Sequence, residues 1–207
     1  QGSTLDEVEK FTYLGDCIAR DGNVEEDINA RLGKAAAVFR HLNNIWSSKT
    51  LNLDIKIRLY TTIVLPTAIY ASETWKMTVK HAAKLDTFHQ RCLRRILKVT
   101  WKDHVTNEEI LRRTGQRRLR DSIAERRLKF AGHILRTSCT RPARTAFMWR
   151  PADGKRKRGR PRRTWRDTVR DDLRARGETW EDAPLLAADR RRWLCIVARC
   201  STGIGGA

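Results

Sequence analysis

The sequence predicts a mainly α-helical protein: a short N-terminal β-hairpin, a helical bundle, and a basic, partly extended arm with two C-terminal helices. Three observations predict it. Apolar residues recur at steps of three and four through most of residues 24–136 and again from Trp165, the spacing that lines one face of a helix. β-branched and aromatic residues around a glycine mark residues 8–19 as strand, bend and strand. The run Lys155-Arg156-Lys157-Arg158-Gly159-Arg160-Pro161-Arg162-Arg163 fits no core, because each buried unpaired cation costs several kcal/mol or more.

Taken in order, Val8–Ala19 forms the hairpin, bending at Gly15 and closed by Asp21-Gly22. Asn23 is placed to cap the first helix, with Glu26 completing a capping box. Val24, Ile28, Leu32, Ala35, Phe39, Leu42 and Trp46 then run down one face. A second helix spans about Leu53 to Trp75. Its apolar residues lie all round it, including Ile55 and Ile63, which predicts a buried central helix. Pro66 falls inside it and should kink or split it.

The third helix, about Val79 to Val99, carries Leu85, Phe88, Cys92, Ile96 and Val99 on one face. Lys80, Lys84, Arg91, Arg94, Arg95 and Lys98 lie mostly on the other. Thr106-Asn107-Glu108-Glu109 reads as a capping box opening a short fourth helix that stops at Gly115. A fifth runs from about Arg117 to Arg136, with Leu119, Ile123, Phe130 and Ile134 inward. Residues 138–163 lack a period and read as a linker or an arm that orders on its ligand. A helix through Trp165, Val169 and Leu173 stops at Gly177. A last one opens at Asp182-Ala183-Pro184 and reaches Trp193 and Val197. The organisation expected is therefore 1–22, 23–100, 101–137, 138–163, 164–200 and a disordered tail 201–207.

Charge separates the two halves. The chain of 207 residues carries a formal net charge of +19, of which residues 1–100 hold +4 and residues 101–207 hold +15. Cations that neutralise phosphates release condensed counterions without needing a base sequence, so nucleic acid is the expected partner. Five cysteines at irregular spacing suit a reducing compartment rather than a disulfide framework. The start Gln-Gly-Ser-Thr has no cationic or apolar leader, and its lack of Met is expected of a segment of a longer protein. The apolar stretch Leu59–Ala71 is shorter than the ~20 residues of a membrane span. No membrane partner is expected, and the location expected is the nucleus or a cytoplasmic ribonucleoprotein.

Catalytic and metal signals are sparse. Phosphodiester chemistry needs converging carboxylates to hold divalent metals. The adjacent pair Asp171-Asp172 sits in a helical pattern where successive side chains diverge, so surface pairing with Arg170, Arg174 or Arg176 is expected. Asp6, Glu7 and Glu9 read as a solvated edge. No spacing among Cys92, His133, Cys139, Cys195 and Cys200 suits zinc. The helical Cys92, Cys195 and Cys200 read as small core residues and His133 as a core or capping histidine. No catalytic residue, metal ligand or cofactor is assigned. The nucleic-acid-binding residues expected are Lys155, Arg156, Lys157, Arg158, Gly159, Arg160, Pro161, Arg162, Arg163 and Arg166.

Arg158-Gly159-Arg160-Pro161 is similar to the AT-hook, in which glycine lets the backbone approach the minor-groove floor, proline keeps it extended and the arginines enter a narrow A·T groove. Phosphate binding alone explains the same residues, and both readings stay open. Lys155–Arg158 also resembles a nuclear-import signal.

An ordered series of segments resembles the C-terminal part of a non-LTR, LINE-type retrotransposon endonuclease-reverse transcriptase: the end of the palm, the thumb and a basic C-terminal region. Phe11-Thr12-Tyr13-Leu14-Gly15 is similar to the segment closing the palm near the primer grip. Leu59-Tyr60 through Ile69-Tyr70-Ala71-Ser72-Glu73-Thr74-Trp75 is similar to the thumb helix ending in Tyr-Gly-x-Glu-x-Trp, with Ala71 in place of glycine. Phe88–Leu97, Ala131–Arg136, Arg158–Trp165 and Ala188–Trp193 follow in the family's order, so the resemblance covers about residues 8–200. It implies that Tyr13, Leu14 and Gly15 seat the primer end and that residues 23–100 form a thumb on the template–primer. The basic half would hold element RNA or target DNA. The resemblance also places the polymerase carboxylates, with their Mg, on an upstream palm that would be this chain's protein partner. This chain alone would then be inactive. The alternative is a stand-alone AT-hook-like chromatin or DNA-binding module derived from such an element.

Overall fold

A computed structural model describes residues 8–13, 16–20, 22, 24–149 and 163–199. The protein is mainly helical with a short N-terminal β-hairpin, β1 (Lys10–Tyr13) and β2 (Asp16–Ala19), paired antiparallel with Phe11 opposite Ile18. The described residues up to Ala71, with Thr78–Leu119, form one unit. Ser72–Met77 and the described residues from Arg120 onward form a second.

In the first unit, α1 (Glu25–His41) puts three acids in its first turn and Arg40 and His41 in its last, complementing the helix dipole. The predicted Asn23 cap lies outside the described residues, and the N-cap residue is Val24, without a side-chain bond. Asp27 Oδ1 accepts the Cys17 N–H at 3.3 Å, tying the hairpin to α1. The predicted single first helix breaks at Leu42, and α2 (Asn43–Ser47) carries Trp46, whose Nε1 donates to Phe39 O at 2.8 Å.

The second helix is broken too. It runs α3 (Leu53–Leu59), a π-helical turn at Tyr60–Val64, then α4 (Leu65–Ala68). Pro66 has no N–H and crowds the carbonyl one turn back, and the wider turn before it absorbs that mismatch. The central burial expected of this helix is not found, since Ile55 is 44% and Ile63 41% exposed. Their side of the helix faces solvent, while Tyr60, Val64, Ala68 and Ile69 enter the core. Ala71 closes the segment at φ 56°, a left-handed conformation that favours glycine.

The helix α5 (Val79–Leu97), capped by Thr78 Oγ1, inserts Leu85, His89, Cys92, Leu93 and Ile96. A 3₁₀ turn at Trp101–Asp103 leads to α6 (Asn107–Thr114), which Thr106 caps and Gly115 ends at φ 61°. His89 is buried, and its Nδ1 lies 2.8 Å from the Tyr60 hydroxyl. Burial holds the His89 imidazole down to about 4 and, in the same way, pushes the Tyr60 hydroxyl well above its ordinary value and the Cys92 thiol to about 12.

The second unit is built on α7 (Leu119–Arg136), whose residues from Arg120 belong to it, with α8 (Pro142–Met148), α9 (Trp165–Arg174), α10 (Ala183–Ala188) and α11 (Arg190–Ala198). Its core is a cluster of Leu128, Ala131, Ile134, Val169, Leu173 and Trp193 among others. The reading of 138–163 as wholly aperiodic is corrected by α8. Pro142 starts it in the first turn, and one anchor, Phe147, packs 4.9 Å from Trp165 and 5.3 Å from Trp180. Two turns with one anchor leave no period to read. The expected last helix divides at Asp189, whose carboxylate caps α11 through the N–H groups of Arg191 and Arg192. Phe130 and Cys195, expected inside, are exposed, as is His133; Cys200 lies outside the described residues. Phe130, 37% exposed, lies at the margin of the buried stripe of α7 with its ring 5.9 Å from Trp165, whereas His133 falls on the outer side.

Packing at one point is very close. A Cβ added to Gly132 would sit 2.1 Å from Trp193 Nε1, and that fully buried indole donates to Leu128 O at 3.0 Å. Arg127 forks onto Asp172 at 2.6 and 3.1 Å and reaches Trp75 O at 3.4 Å, while Trp165 Nε1 donates to Glu73 O at 2.8 Å. The segment Ser72–Met77 is thereby fastened within this unit.

Gly132→Ala should destabilise the protein by about 1–3 kcal/mol through overpacking, read as a lower urea midpoint. Gly132→Ala in a Trp193→Phe background should cost less, because the clashing ring is smaller. His89 has a folded value of about 4 against an ordinary 6.5, so its stabilising neutrality is complete above about pH 6.5 and is lost as pH falls toward 4. The loss should reach up to about 3 kcal/mol, and His89→Gln should show a correspondingly shallower fall in urea midpoint between those pH values.

Candidate nucleic-acid interface

The exposed face of α5 follows from its sequence. Arg91, Arg94, Arg95 and Lys98 stand at i, i+3, i+4 and i+7, so they share a side opposite Leu85, His89, Cys92 and Ile96. The helix ends at Lys98 in a left-handed conformation, φ 58°, which turns the chain into the Trp101 loop.

The two ends of this basic face differ. At the N-terminal end Lys80 Nζ lies 2.9 Å and Lys84 Nζ 4.0 Å from Glu25 Oε1, so both cations are paired with one carboxylate. Those contacts hold the Glu25 carboxyl below its ordinary range, with the Lys80 hydrogen bond the largest cause. At the C-terminal end the cations touch only neutral groups. Arg94 Nη2 donates to Val105 O at 2.7 Å and Asn107 Oδ1 at 2.9 Å, Arg95 Nη2 to Asn43 Oδ1 at 3.1 Å, and Lys98 Nζ to Ser47 O at 3.0 Å. None of Arg91, Arg94, Arg95 and Lys98 forms an ion pair among the described residues. Neutral oxygens orient Arg94, Arg95 and Lys98 and leave their positive charge uncompensated.

Two grooves flank this stripe, both within the first unit. One of about 570 Å³ is lined by Asp86, Gln90, Arg91, Arg94, Arg95 and Asn107. Its carboxylate, Asp86, accepts the Leu119 N–H at 3.0 Å. The other, about 360 Å³, is lined by Trp46, Ser47, Arg94, Arg95, Lys98 and Thr100. A third hollow nearby includes Lys49 and Lys56. Lys56 is buried, its Nζ donating to Trp46 O at 3.2 Å and Ser48 O at 2.6 Å. On α6, by contrast, Arg112 and Arg113 both sit 2.7 Å from Glu109, whose carboxyl they hold down to about 2.

Of the residues expected from sequence to bind nucleic acid, Lys155 to Arg162 lie outside the described residues, as do Leu14 and Gly15. Arg163 bonds the Asp171 carboxylate and lies 3.4 Å from Thr168 Oγ1, so it packs on the start of α9. Arg166 is half-buried on the same helix. Tyr13 is exposed at 57%, its ring stacked 6.3 Å from Phe11. The expected surface pairing of Asp171-Asp172 holds for Asp171, 3.7 Å from Arg174. It fails for Asp172, which faces inward and is forked by the buried Arg127. A cation forty-five residues away in the chain is invisible to local pairing rules. Among the described residues no three His, Cys, Asp or Glu side chains converge as a metal site, and no helix is long and apolar enough to cross a membrane.

Trp101 is the site residue that sequence reasoning missed. It is 78% exposed on its 3₁₀ turn, and the available signal was Thr100 followed three residues on by Asp103. Asp103 Oδ2 accepts from Thr100 N at 2.6 Å and Thr100 Oγ1 at 2.8 Å, bonds that hold its carboxyl below the ordinary range.

Comparison with known proteins finds a Caenorhabditis elegans protein described as uncharacterised and transposon-derived, 30% identical over 207 residues, covering 96% of this chain and 73% of the relative. No protein-family profile matches the chain. No solved structure matches it.

Proposed function

The chain belongs to the family of transposon-derived proteins represented by the nematode relative, and from that premise we propose that it is a nucleic-acid-binding, C-terminal segment of a retrotransposon reverse transcriptase. In this reading residues 23–100 act as the thumb on template–primer, and the basic half holds element RNA or target DNA. The observation that carries it is the C-terminal half of α5, where Arg94, Arg95 and Lys98 are oriented by neutral oxygens and, with Arg91, left without carboxylate partners among the described residues. On the same helix Lys80 and Lys84 are, by contrast, paired with Glu25. An unpaired, oriented stripe beside open grooves suits phosphates, which release counterions when neutralised.

The basic run Lys155–Arg163 supports the same reading from sequence, adding a second cationic stretch in a chain of net charge +19. Polymerisation would be carried out by an upstream palm with its Mg, and this chain alone would bind without catalysing. The working compartment would be the nucleus, where target DNA lies, or a cytoplasmic ribonucleoprotein. A chromatin-type reading rests on Arg158-Gly159-Arg160-Pro161 and differs in requiring A·T preference.

Fluorescence anisotropy of the full chain against single-stranded RNA, RNA–DNA hybrid and A·T-rich or G·C-rich duplex, across salt, tests the proposal. Affinity should fall with salt at a log–log slope of about −0.9 per phosphate contacted on duplex DNA. The pair Arg95→Ala and Lys98→Ala should reduce that slope by about one per cation removed. Absence of salt-dependent binding to every probe would overturn the proposal. Weakening by Arg158→Ala with Arg160→Ala on A·T-rich duplex alone would favour the chromatin-type module.

A further inference from the structure

We propose that Trp101 is a stacking platform for an unpaired base of single-stranded nucleic acid, with the adjacent Arg91, Arg94, Arg95 and Lys98 face taking the flanking phosphates. The inference rests on the nucleic-acid reading above and assigns it a strand type and a residue.

A large indole left 78% exposed is costly in water, and here its backbone is fixed rather than loose. The turn that carries it is closed at the start by the reciprocal Thr100–Asp103 bonds and ends at His104, φ 48°. Farther along, Arg94 fastens the chain again by bonding Val105 and Asn107. The ring is therefore presented on an ordered support, which lowers the entropy lost on stacking a ligand against it.

Its surroundings identify the partner. Lys102 Nζ lies 5.9 Å from the ring centroid, Thr100 and Val99 line the grooves, and the unpaired cations follow on α5. Residues 101–104 are all exposed, and three of the four are charged or polar side chains. A protein-docking patch would need contiguous apolar area, whereas one aromatic ring set among cations is the arrangement that holds single strands. Duplex DNA or RNA keeps its bases stacked internally and offers the ring no free face. The one nearby acid of the loop, Asp103, is occupied in capping Thr100.

The test compares wild type, Trp101→Ala and Trp101→Phe of the full chain. The probes are a fluorescein-labelled single-stranded RNA of mixed sequence and the same strand annealed to its complement. Trp101→Ala should weaken single-strand binding by about five- to 160-fold, the range for losing one stacked base, with little change on the duplex. Trp101→Phe should recover most of the loss. Thermal unfolding of the variants should match wild type, because the ring is exposed. Binding that Trp101→Ala leaves unchanged would overturn the platform and leave the nucleic-acid reading standing. Equal losses on both probes would also overturn it, since stacking distinguishes them. A wild type that binds neither probe at any salt would remove both readings together.

Discussion

Charge cannot be buried without a partner, and this protein has far more cations than anions to pair them with. The architecture depends on that constraint. Each helix must give a narrow apolar stripe to a core and turn its cations outward, so any surface without nearby carboxylates becomes electropositive. The helix α5 shows both sides of the bargain at once: Leu85, Leu93 and Ile96 are buried, while Arg91, Arg95 and Lys98 line open grooves. Removing charge from the core builds the candidate interface.

Where a cation is nevertheless buried, the structure supplies a dedicated partner. Arg127 forks onto Asp172, Arg31 lies 3.6 Å from Asp27 and 4.3 Å from the Tyr70 ring centroid, and Lys56 takes the carbonyls of Trp46 and Ser48. These interiors use polar groups as fasteners between segments distant in sequence. Breaking one partner would leave the other buried and uncompensated, which costs more than the pair contributes. The surface stripe of α5 has no such demand, and its cations remain available to a polyanion.

Much of the fold was readable because it rests on local rules. The cap Thr106, the left-handed stop at Gly115 and the apolar stripes of α1, α5 and α7 follow from side-chain spacing and hydrogen bonding within a turn or two. Reading failed where a helix is too short to repeat, as in α8, or where which side faces the core is set by other elements, as at Ile55, Phe130 and His133. The candidate interface was half readable. The cationic face of α5 could be drawn from spacing, but nothing local distinguishes Lys84, neutralised by Glu25, from Lys98, which no carboxylate neutralises.

The sequence by itself determined the helical class, the excess of positive charge and its weight toward the second half, because composition and period are properties of the chain alone. The tertiary structure decided which cations keep their charge free and which aromatic stays outside. Those outcomes depend on contacts fifty residues or more apart, such as Glu25 with Lys80 and Ser47 with Lys98. Coulomb pairing and burial act through space, and only the folded packing says which groups meet.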